Sequence, residues 1–450
     1  MKVHFIAIGG SAMHNLAIAL HLKGDEVSGS DDAIFEPSKS RLAQYGLLPK
    51  KTGWFPDKLD SSIDAIILGM HAKPENPELL TAQDLGLTIY SYPEYIYHQS
   101  KNKTRVVIGG SHGKTTITAM ILHVLHFHNK EIDFMVGAQL DGFDVMVQLS
   151  DHNDFILLEG DEYLSSPIDH RPKFHWYRPN VALISGIAWD HINVFPTFES
   201  YLEQFKIFID TIVAGGSLIY NSEDEVLSTL VEQSENPIRK LPYRTSSYTI
   251  ENGQTFLETS EGLMPIELFG AHNLSNLAGA KWICQQMGVD EDDFYEAVSS
   301  FKGASKRLER LAFTTNGVIF KDFAHAPSKV TATTIAVRNQ FPDHHFITCL
   351  ELHTFSSLNP NFINEYRGSL DSADQAVVFY TPNAVALKGL DPLNKMQIAK
   401  AFQRDDLIIF TNPDALSNYF NNLTQKPLAL LMMSSGNYGG LDLSALKKII

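Results

Sequence analysis

Short apolar runs alternate along this chain with longer segments in which apolar residues recur every three or four positions. The runs predict buried strands, and the longer segments predict helices that bury one face. In the first part of the chain the pattern predicts strands at 3–8, 26–29, 65–68 and 88–90 and a helix at 12–22. Strands that alternate with helices in this way are typical of a parallel sheet covered by helices.

Two further regions repeat this alternation after the polar segment 99–104, which we interpret as a linker. The second region has predicted strands and helices at 155–158, 181–185, 197–212, 217–220 and 273–287, with an antiparallel excursion at 246–268. The third region has predicted strands at 318–320, 346–350, 376–379, 407–410 and 428–432. We therefore predict an α/β protein with three domains, at residues 1–102, 103–312 and 313–450.

The composition narrows the class of protein. The 450 residues are 44% hydrophobic and 20% charged, which is ordinary for a globular enzyme. The net charge of −16 argues against a nucleic-acid-binding surface, which is usually basic. Cys284 and Cys349 form no metal or disulfide pattern, and no stretch approaches the ~20 apolar residues of a membrane span. We therefore expect a cytoplasmic monomer or weak dimer without nucleic-acid or membrane partners.

A glycine-rich turn in residues 105–116, R-V-V-I-G-G-S-H-G-K-T-T, joins an apolar run to a helical segment. Glycines let backbone N–H groups turn toward a phosphate, and a helix N-terminus adds positive potential. In such a loop Lys114 would reach the terminal phosphates and the Thr115 hydroxyl would hold Mg²⁺. The glycine spacing is shorter than in the common P-loop, so spacing alone leaves a chance match open, whereas the strand and helix context favours nucleotide binding.

A second glycine turn, Gly9-Gly10-Ser11, follows the first predicted strand, and Asp31 ends the second strand. A diphosphate bound at the start of the following helix is physically reasonable, although the G-x-G-x-x-G pattern of dinucleotide sites is absent. A tight strand–helix turn without a ligand explains these residues equally well. The two alternatives stay open at this point.

Acidic and histidine side chains follow two of the central predicted strands. Glu159, Asp161 and Glu162 come directly after the run 155–158, where a carboxylate can hold Mg²⁺ opposite a phosphate loop. Asp190 and His191 follow the next predicted strand and would reach the same sheet edge, which makes His191 a candidate second metal ligand. The alternatives are a solvated acidic turn and a structural histidine, and the neighbouring phosphate loop favours the metal role.

Further polar motifs lie on either side of residue 300. Asn273 and Asn276 open a predicted helix, where they would cap the helix or read the edge of a base. Lys306, Arg307 and Asp322 flank the start of the third region, and an arginine for phosphate with an aspartate for ribose would suit a bound nucleotide. Taken singly, each is an ordinary surface residue.

Six ordered motifs in this chain resemble those of the Mur ligase family, the ATP-dependent amide-forming ligases of peptidoglycan synthesis. The family motifs G-T-H-G-K-T-T, E-A-D-E, D-H, H-N-x-x-N, K-R-x-E and D-[YF]-A-H-x-P correspond to residues 110–116, 159–162, 190–191, 272–276, 306–309 and 322–327. The resemblance covers nearly the whole chain. It implies an N-terminal Rossmann-like domain for the UDP-sugar, a central P-loop-type ATPase domain and a C-terminal Rossmann-like domain for the amine substrate.

The resemblance also implies roles for individual residues. It assigns ATP binding to Gly110, Ser111, His112, Gly113, Lys114, Thr115, Thr116, Asn273, Arg307 and Asp322. It assigns the UDP-sugar to Gly9, Gly10, Ser11 and Asp31, catalysis to Lys114, Glu159 and His191, and two Mg²⁺ sites to Thr115, Glu159 and His191. Lys206 would be a further metal ligand if it is carbamylated, as a lysine of this region is in other branches, and an exposed helix lysine is the alternative.

Two branches of the family use UDP-N-acetylmuramate as the acceptor. One adds L-alanine, and the other, the murein peptide ligases, adds the recycled tripeptide L-Ala-γ-D-Glu-meso-diaminopimelate. Residues 161–179 and 433–441 look more similar to the second branch, whereas residues 351–354, E-L-H-T, lack the arginine of its E-P-R-S motif. We therefore expect an ATP-dependent ligase that joins UDP-N-acetylmuramate to this tripeptide through an acyl phosphate, in peptidoglycan recycling or biosynthesis. An L-alanine ligase and a non-catalytic nucleotide-binding relative are the alternatives.

Overall fold

The computed structural model describes residues 1–137, 139–140, 143–304 and 307–450. The chain divides into two compact units, the first comprising Met1–Ile187, Thr197–Arg244 and Gly279–Phe294 and the second comprising Ala188–Pro196, Thr245–Ala278 and Tyr295–Ile450. Both units combine helices with mainly parallel sheets, which confirms the predicted α/β class. The domain boundaries after residues 102 and 312 stay predictions. Among the described residues, none of the helices combines the length and the apolar character that a bilayer crossing requires.

The first sheet belongs to the first unit and has four parallel strands. Its elements are β1 (Lys2–Ile6), α1 (Ser11–Leu22), β2 (Glu26–Ser30), α2 (Ser38–Gln44), β3 (Ala65–Leu68), α3 (Pro77–Asp84), β4 (Ile89–Ser91) and α4 (Tyr92–Gln99). The strand order is β2-β1-β3-β4. The central strands β1 and β3 are buried on both faces, as expected for a parallel sheet enclosed by helices.

A buried polar pair lies in the core of this sheet. The Nε2 atom of His4 lies 3.3 Å from Glu78 Oε2, and its Nδ1 atom lies 2.8 Å from Ser28 Oγ. Glu78 also accepts a hydrogen bond of 2.6 Å from the backbone N–H of Phe55. Burial tends to raise the pKa of Glu78, but hydrogen bonds from His4, Ser30 and the Phe55 N–H outweigh burial and place this pKa below its ordinary value. Glu78 is therefore an ionised carboxylate at neutral pH.

We predict that Glu78→Ala lowers the free energy of unfolding by about 3 kcal/mol at pH 7, because it leaves buried partners without their acceptor. Urea unfolding followed by circular dichroism measures this. The exposed Glu75→Ala is the control and should change stability by less than about 0.5 kcal/mol.

Because the folded pKa of Glu78 is depressed, the stability that Glu78 contributes is present above the ordinary pKa of 4.5 and is lost as the pH falls through the folded value. A difference between wild type and variant that grows toward pH 3 would contradict this account.

The second sheet contains the predicted phosphate loop. Its elements are β5 (Thr104–Gly109), α5 (Lys114–Phe127), β6 (Asp133–Met135), β7 (Val147–Gln148), β8 (Phe155–Glu159), α6 (Lys173–Trp176), β9 (Val181–Ile184), α7 (Phe198–Thr211), β10 (Ser217–Asn221), α8 (Glu225–Gln233) and β11 (Arg239–Tyr243). The strand order is β11-β10-β9-β5-β8-β6-β7, and all neighbours are parallel except β6 and β7. The central strand β5 pairs with β8 and β9, so the carboxyl ends of these three strands meet at one edge.

The segment 99–104, which we predicted to be a linker, comprises the end of α4, a tight turn and the start of β5. Ser100 is fully buried, and the guanidinium of Arg105 donates to the backbone carbonyls of Ser100 and Lys101 at 2.9 and 3.1 Å. The polar residues here serve hydrogen bonding within a compact turn. Polar composition alone does not distinguish such a turn from a flexible connection.

The second unit contains the remaining two sheets. Its strands are β12 (Tyr248–Glu251), β13 (Gln254–Thr259), β14 (Gly262–Ile266), β15 (Glu309–Thr314), β16 (Gly317–Asp322), β17 (His345–Glu351), β18 (Gln375–Phe379), β19 (Ile408–Phe410) and β20 (Leu428–Met433). The helices after α8 are α9 (Ala271–Gln286), α10 (Glu291–Val298), α11 (Pro327–Gln340), α12 (Phe355–Leu358), α13 (Pro382–Leu387), α14 (Lys395–Phe402) and α15 (Pro413–Asn421). Residues of α9 and α10 are divided between the two units, because Gly279–Phe294 belongs to the first. Short 3₁₀ turns lie at Pro56–Lys58, Ile363–Tyr366 and Leu443–Ile449.

The pairing within the second unit shows which strand predictions hold. Strands β12, β13 and β14 form an antiparallel sheet, as predicted for residues 246–268. The other sheet has the order β15-β16-β20-β17-β18-β19 and is parallel apart from the antiparallel pair β15 and β16. Strand β15 was not predicted, and residue 312 lies within it. Its half-exposed, charged sequence E-R-L-A-F-T lacks the continuous apolar run that marks the inner strands.

Candidate functional site

The predicted phosphate loop joins β5 to α5 at the carboxyl edge of the second sheet. Gly110 has a φ of +122° and Gly113 has a φ of +79°, conformations that favour glycine. A Cβ atom on Gly110 would collide with the side chain of Ser185, which follows β9. The backbone N–H of Ser111 donates to the carbonyl of Gly186 at 3.0 Å. The loop is therefore held close against the end of β9.

Lys114 is the first residue of α5, and its side chain is only 14% exposed. Its Nζ atom donates to the Gly110 carbonyl at 2.7 Å and to Glu162 Oε2 at 2.6 Å. Burial tends to lower the pKa of this ammonium, but the carboxylates of Glu162, Asp161 and Glu159 outweigh burial and raise it. Lys114 is therefore a cation at neutral pH, as the binding of a terminal phosphate requires.

Thr115 and Glu159 place two oxygen ligands side by side. Thr115 Oγ1 donates to Glu159 Oε1 at 2.7 Å, and the Gly137 N–H donates to Glu159 Oε2 at 2.8 Å. Hydroxyl and carboxylate oxygens next to a phosphate loop are the ligands that Mg²⁺ prefers. The two side chains fit this ion because their oxygens already converge and because both are hard donors.

Tyr201 on α7 fixes Glu162 from another direction. Its hydroxyl donates to Glu162 Oε1 at 3.0 Å and lies 2.9 Å from Ser111 Oγ. A chain of hydrogen bonds therefore runs from Ser111 through Tyr201 and Glu162 to Lys114. Sequence analysis missed Tyr201, because an inward-facing tyrosine on an amphipathic helix has the same pattern as a core residue.

The first glycine turn is closed by the aspartate that follows β2. The backbone N–H of Gly9 donates to Asp31 Oδ2 at 2.7 Å, and α1 begins at Ser11 directly after Gly10. Burial raises the pKa of Asp31, while the N–H groups of Gly9 and Ala33 act in the opposite direction. These contacts place Asp31 beside the turn that contains Gly9, Gly10 and Ser11. They fit the tight-turn interpretation, and a bound diphosphate stays a prediction.

In the second unit, Asp190 and His191 form a turn with an unusual backbone. His191 has a φ of +55°, and its N–H donates to Asp190 Oδ1 at 2.8 Å. Asp190 Oδ2 lies 3.6 Å from Lys329 Nζ. Burial tends to raise the pKa of Asp190, but the charges of Lys329, His191 and His325 hold it well below its ordinary value. Asp190 is therefore an ionised anchor for the turn that carries His191.

Asp322 lies buried at the end of β16. Its carboxylate accepts hydrogen bonds from the Leu308 N–H at 2.5 Å and the Ala324 N–H at 2.6 Å. Burial raises the pKa of Asp322, although Arg307 and these two N–H groups act against it. The guanidinium of Arg307 lies 4.7 Å from the centre of the Phe323 ring. Two backbone donors therefore already occupy the carboxylate that the resemblance assigns to ribose.

Comparison with known proteins identifies the family. The model for the Mur ligase middle domain matches residues 108–284, and the model for the Mur ligase family, catalytic domain, matches residues 2–104. This chain belongs to the Mur ligase family. Mur ligases are ATP-dependent amide ligases, and the chain is an enzyme of that class.

Individual relatives of this Mur ligase cover almost its whole length. The UDP-N-acetylmuramate–L-alanine ligase of Sulfurihydrogenibium sp. is 26% identical over 448 residues, covering 97% of this chain and 95% of the relative. The murein peptide ligase structure from Psychrobacter arcticus has 21% identity and a TM-score of 0.66, covering 100% and 99% of the two chains. The UDP-N-acetylmuramate-alanine ligase structure from Thermotoga maritima has 18% identity and a TM-score of 0.70, covering 100% and 97%. At these identities the structures establish the three-domain Mur ligase fold.

The site residues of this Mur ligase fall into two groups, each within one compact unit. The first unit brings Lys114, Thr115 and Glu159 together with Glu162 and Tyr201. The second unit contains Asn273, Asp190, His191, Arg307 and Asp322. Lys306 lies outside the described residues.

Two predicted ligand residues have other partners in this structure. Lys206 is 58% exposed, and its Nζ atom lies 3.7 Å from Glu203 Oε2 on the same helix. This position favours the alternative that Lys206 is a surface lysine. Asn273 is buried, and its side-chain amide donates to the Phe269 carbonyl at 3.0 Å, which favours a role at the helix start.

We predict that Gly110→Ala weakens ATP binding by at least about tenfold, because the new methyl group collides with Ser185 and must reshape the loop. Isothermal titration calorimetry measures the affinity. Gly215→Ala is the matched control, because Gly215 also has a positive φ of +79° but has open space around its Cβ position. This control should lose about 1 kcal/mol of stability and keep its ATP affinity. Equal losses of affinity in both variants would refute the role of the close approach.

We predict that the pKa of His325 is about 4, since burial and the nearby Lys329 lower it more than Asp190 raises it. The unfolded chain then binds more protons than the folded chain between pH 6.5 and pH 4, so this histidine lowers stability as the pH falls through that window. NMR titration of ¹³C-labelled histidines, with His325→Gln for assignment, measures the value. A His325 resonance that titrates near pH 6.5 would contradict the prediction.

Proposed function

We propose that this Mur ligase joins UDP-N-acetylmuramate to the tripeptide L-Ala-γ-D-Glu-meso-diaminopimelate and converts ATP to ADP and phosphate. The observation that carries the proposal is the convergence of Lys114, Thr115 and Glu159 at the loop between β5 and α5. This arrangement provides a cation and two hard oxygen ligands where a polyphosphate would lie, which supports phosphoryl transfer from ATP.

The proposed reaction has two chemical steps. The lactyl carboxylate of the UDP-sugar attacks the γ-phosphorus of ATP, the bond to the bridging oxygen breaks, and ADP leaves behind an acyl phosphate. The amine of the second substrate then attacks the acyl carbon, and the tetrahedral intermediate collapses to an amide and phosphate. Lys114 and the N–H groups of the loop stabilise the negative charge that develops on the transferred phosphoryl group.

The other predicted ligand residues receive roles within this proposal. Thr115 and Glu159 would hold one Mg²⁺ and His191 a second, and the bound ions would supply positive charge at the phosphates. Gly9, Gly10, Ser11 and Asp31 would bind the UDP group, and Asn273, Arg307 and Asp322 would bind adenine, a phosphate and ribose. Asp322 can accept a ribose hydroxyl in addition to its two backbone donors, because a carboxylate has about four lone-pair positions.

The choice of tripeptide over alanine rests on sequence similarity. Residues 161–179 and 433–441 resemble the murein peptide ligases, and the absence of the E-P-R-S arginine at residues 351–354 is a departure from that branch. The second candidate function is an L-alanine ligase, and the names of the curated relatives favour it. Both functions use ATP and a UDP-sugar, which are cytoplasmic metabolites, so we propose a cytoplasmic location in either case.

We predict that phosphate release in the presence of ATP, Mg²⁺ and UDP-N-acetylmuramate requires the tripeptide, with a preference of at least about tenfold over L-alanine. A coupled phosphate assay with mass spectrometry of the product measures this. Lys114→Met should abolish release with either amine, which controls for contaminating phosphatases. Release with L-alanine alone would establish the second candidate. If neither amine leads to phosphate release while ATP still binds, the protein uses a different amine substrate or is a non-catalytic relative.

A further inference from the structure

The segment between β8 and α6 folds into a hairpin, residues 163–172, that follows the acidic motif. At its base the Lys173 N–H donates to the Tyr163 carbonyl at 3.0 Å, and the Phe174 N–H donates to the Asp161 carbonyl at 3.1 Å. Farther out, the Ser165 N–H donates to the Arg171 carbonyl at 3.0 Å. Main-chain hydrogen bonds therefore close the hairpin and bring Lys173 back to Asp161.

The ammonium group of Lys173 is largely buried and forms an ion pair. Its side chain is 14% exposed, and its Nζ atom lies 2.5 Å from Asp161 Oδ2. The same atom lies 5.6 Å from the centre of the Tyr92 ring and 5.7 Å from that of Tyr163, within range of a cation–π interaction. A buried ammonium is costly unless it is paired, so the pairing with Asp161 is what allows a cation in this position.

This pairing changes the charge that the phosphate loop faces. Three carboxylates, those of Glu159, Asp161 and Glu162, lie at or just beyond the end of β8. Lys114 pairs with Glu162 and Lys173 pairs with Asp161, whereas the hydrogen bonds to Glu159 come from the neutral Thr115 hydroxyl and the Gly137 N–H. Among these three carboxylates, Glu159 is therefore the one whose hydrogen bonds come from neutral groups, and it is also the side chain that fits Mg²⁺.

We propose that Lys173 is a positioning residue of the ATP site, whose ammonium neutralises Asp161 and so removes one carboxylate charge from those that the polyphosphate meets. This inference rests on the proposed function, because it requires ATP at the loop that contains Lys114. Without Lys173, the Asp161 carboxylate would repel a negatively charged polyphosphate and attract a divalent cation. Lys173 thus acts on the nucleotide through Asp161.

A purely mechanical role for Lys173 makes a different prediction. If the ion pair only held the hairpin in place, its loss would weaken ATP binding by the same factor with and without Mg²⁺. The main-chain bonds at Tyr163, Ser165 and Phe174 already close the hairpin. A charge-balancing role instead predicts that Mg²⁺ restores much of the lost affinity, because the cation compensates for the exposed carboxylate.

The test is the affinity for ATP, measured by calorimetry on the full chain in EDTA and again at saturating Mg²⁺. We expect Lys173→Met to weaken binding about tenfold in EDTA and by less than about threefold with Mg²⁺. Lys173→Arg keeps the charge and should bind ATP within about twofold of the wild type in both conditions. The double variant Lys173→Met with Asp161→Asn removes both charges and should recover most of the affinity in EDTA.

Arg171→Gln is the matched control, because it removes a cation from the exposed part of the same hairpin, where Arg171 pairs with Asp169. It should leave both affinities unchanged. The inference is overturned if Lys173→Met binds ATP like the wild type, if it loses the same factor in both conditions, or if the double variant does not recover affinity in EDTA. Failure of the wild type itself to bind ATP would instead refute the proposed function.

Discussion

The candidate site depends on keeping a lysine ammonium charged in a largely buried position. Lys114 is held there by a helix start whose geometry requires a positive φ at Gly113, and burial alone would lower its pKa. The carboxylates that offset burial come from the end of β8, which is adjacent to β5 because the sheet order places Ile108 beside Glu159. Strand order therefore determines the charge state of the lysine.

The two buried aspartates of the second unit show how burial and neighbouring charge compete. Asp190 has Lys329, His191 and His325 around it, and their charges outweigh burial, so its pKa is depressed. Asp322 is buried to a similar degree, but the charges of Arg307 and Lys329 do not outweigh burial there, so its pKa is raised. The same side chain thus has opposite tendencies at two places in one unit, and the difference follows from the number of nearby cations.

The sequence predicts those parts of the fold and site that local pattern determines. The inner strands such as β3 and β20 have continuous apolar runs, and the loop before Lys114 has a distinctive order of strand, glycines and helix. Contacts made at long sequence separation leave no such pattern. Tyr201 and Lys173 are examples, because a tyrosine on an apolar helix face and a lysine after a polar stretch look like ordinary residues until the fold brings them to Glu162 and Asp161.

Polar side chains in the sequence motifs also form hydrogen bonds with nearby backbone groups, which an assignment to a ligand does not predict. The carboxylate of Asp322 accepts two backbone N–H groups, and the amide of Asn273 donates to a backbone carbonyl. In the turn at residues 99–104, the backbone carbonyls of Ser100 and Lys101 accept hydrogen bonds from Arg105. A motif therefore identifies residues whose polar groups need hydrogen-bond partners. Only the structure shows whether those partners are backbone groups or leave the side chain available to a ligand.

The pairing of Lys114 with Glu162 has a consequence for the speed of nucleotide exchange. In the proposed ATP complex, an incoming phosphate competes with a carboxylate that already holds the ammonium at 2.6 Å, so part of the interaction energy is spent on replacing an existing partner. A departing ADP, in turn, leaves the lysine to a neighbour that is held ready by Tyr201, and no bare cation has to form inside the protein. In the proposed reaction, this exchange of partners reduces the free energy that is lost when ADP leaves, which suits an enzyme that must release its product in every catalytic cycle.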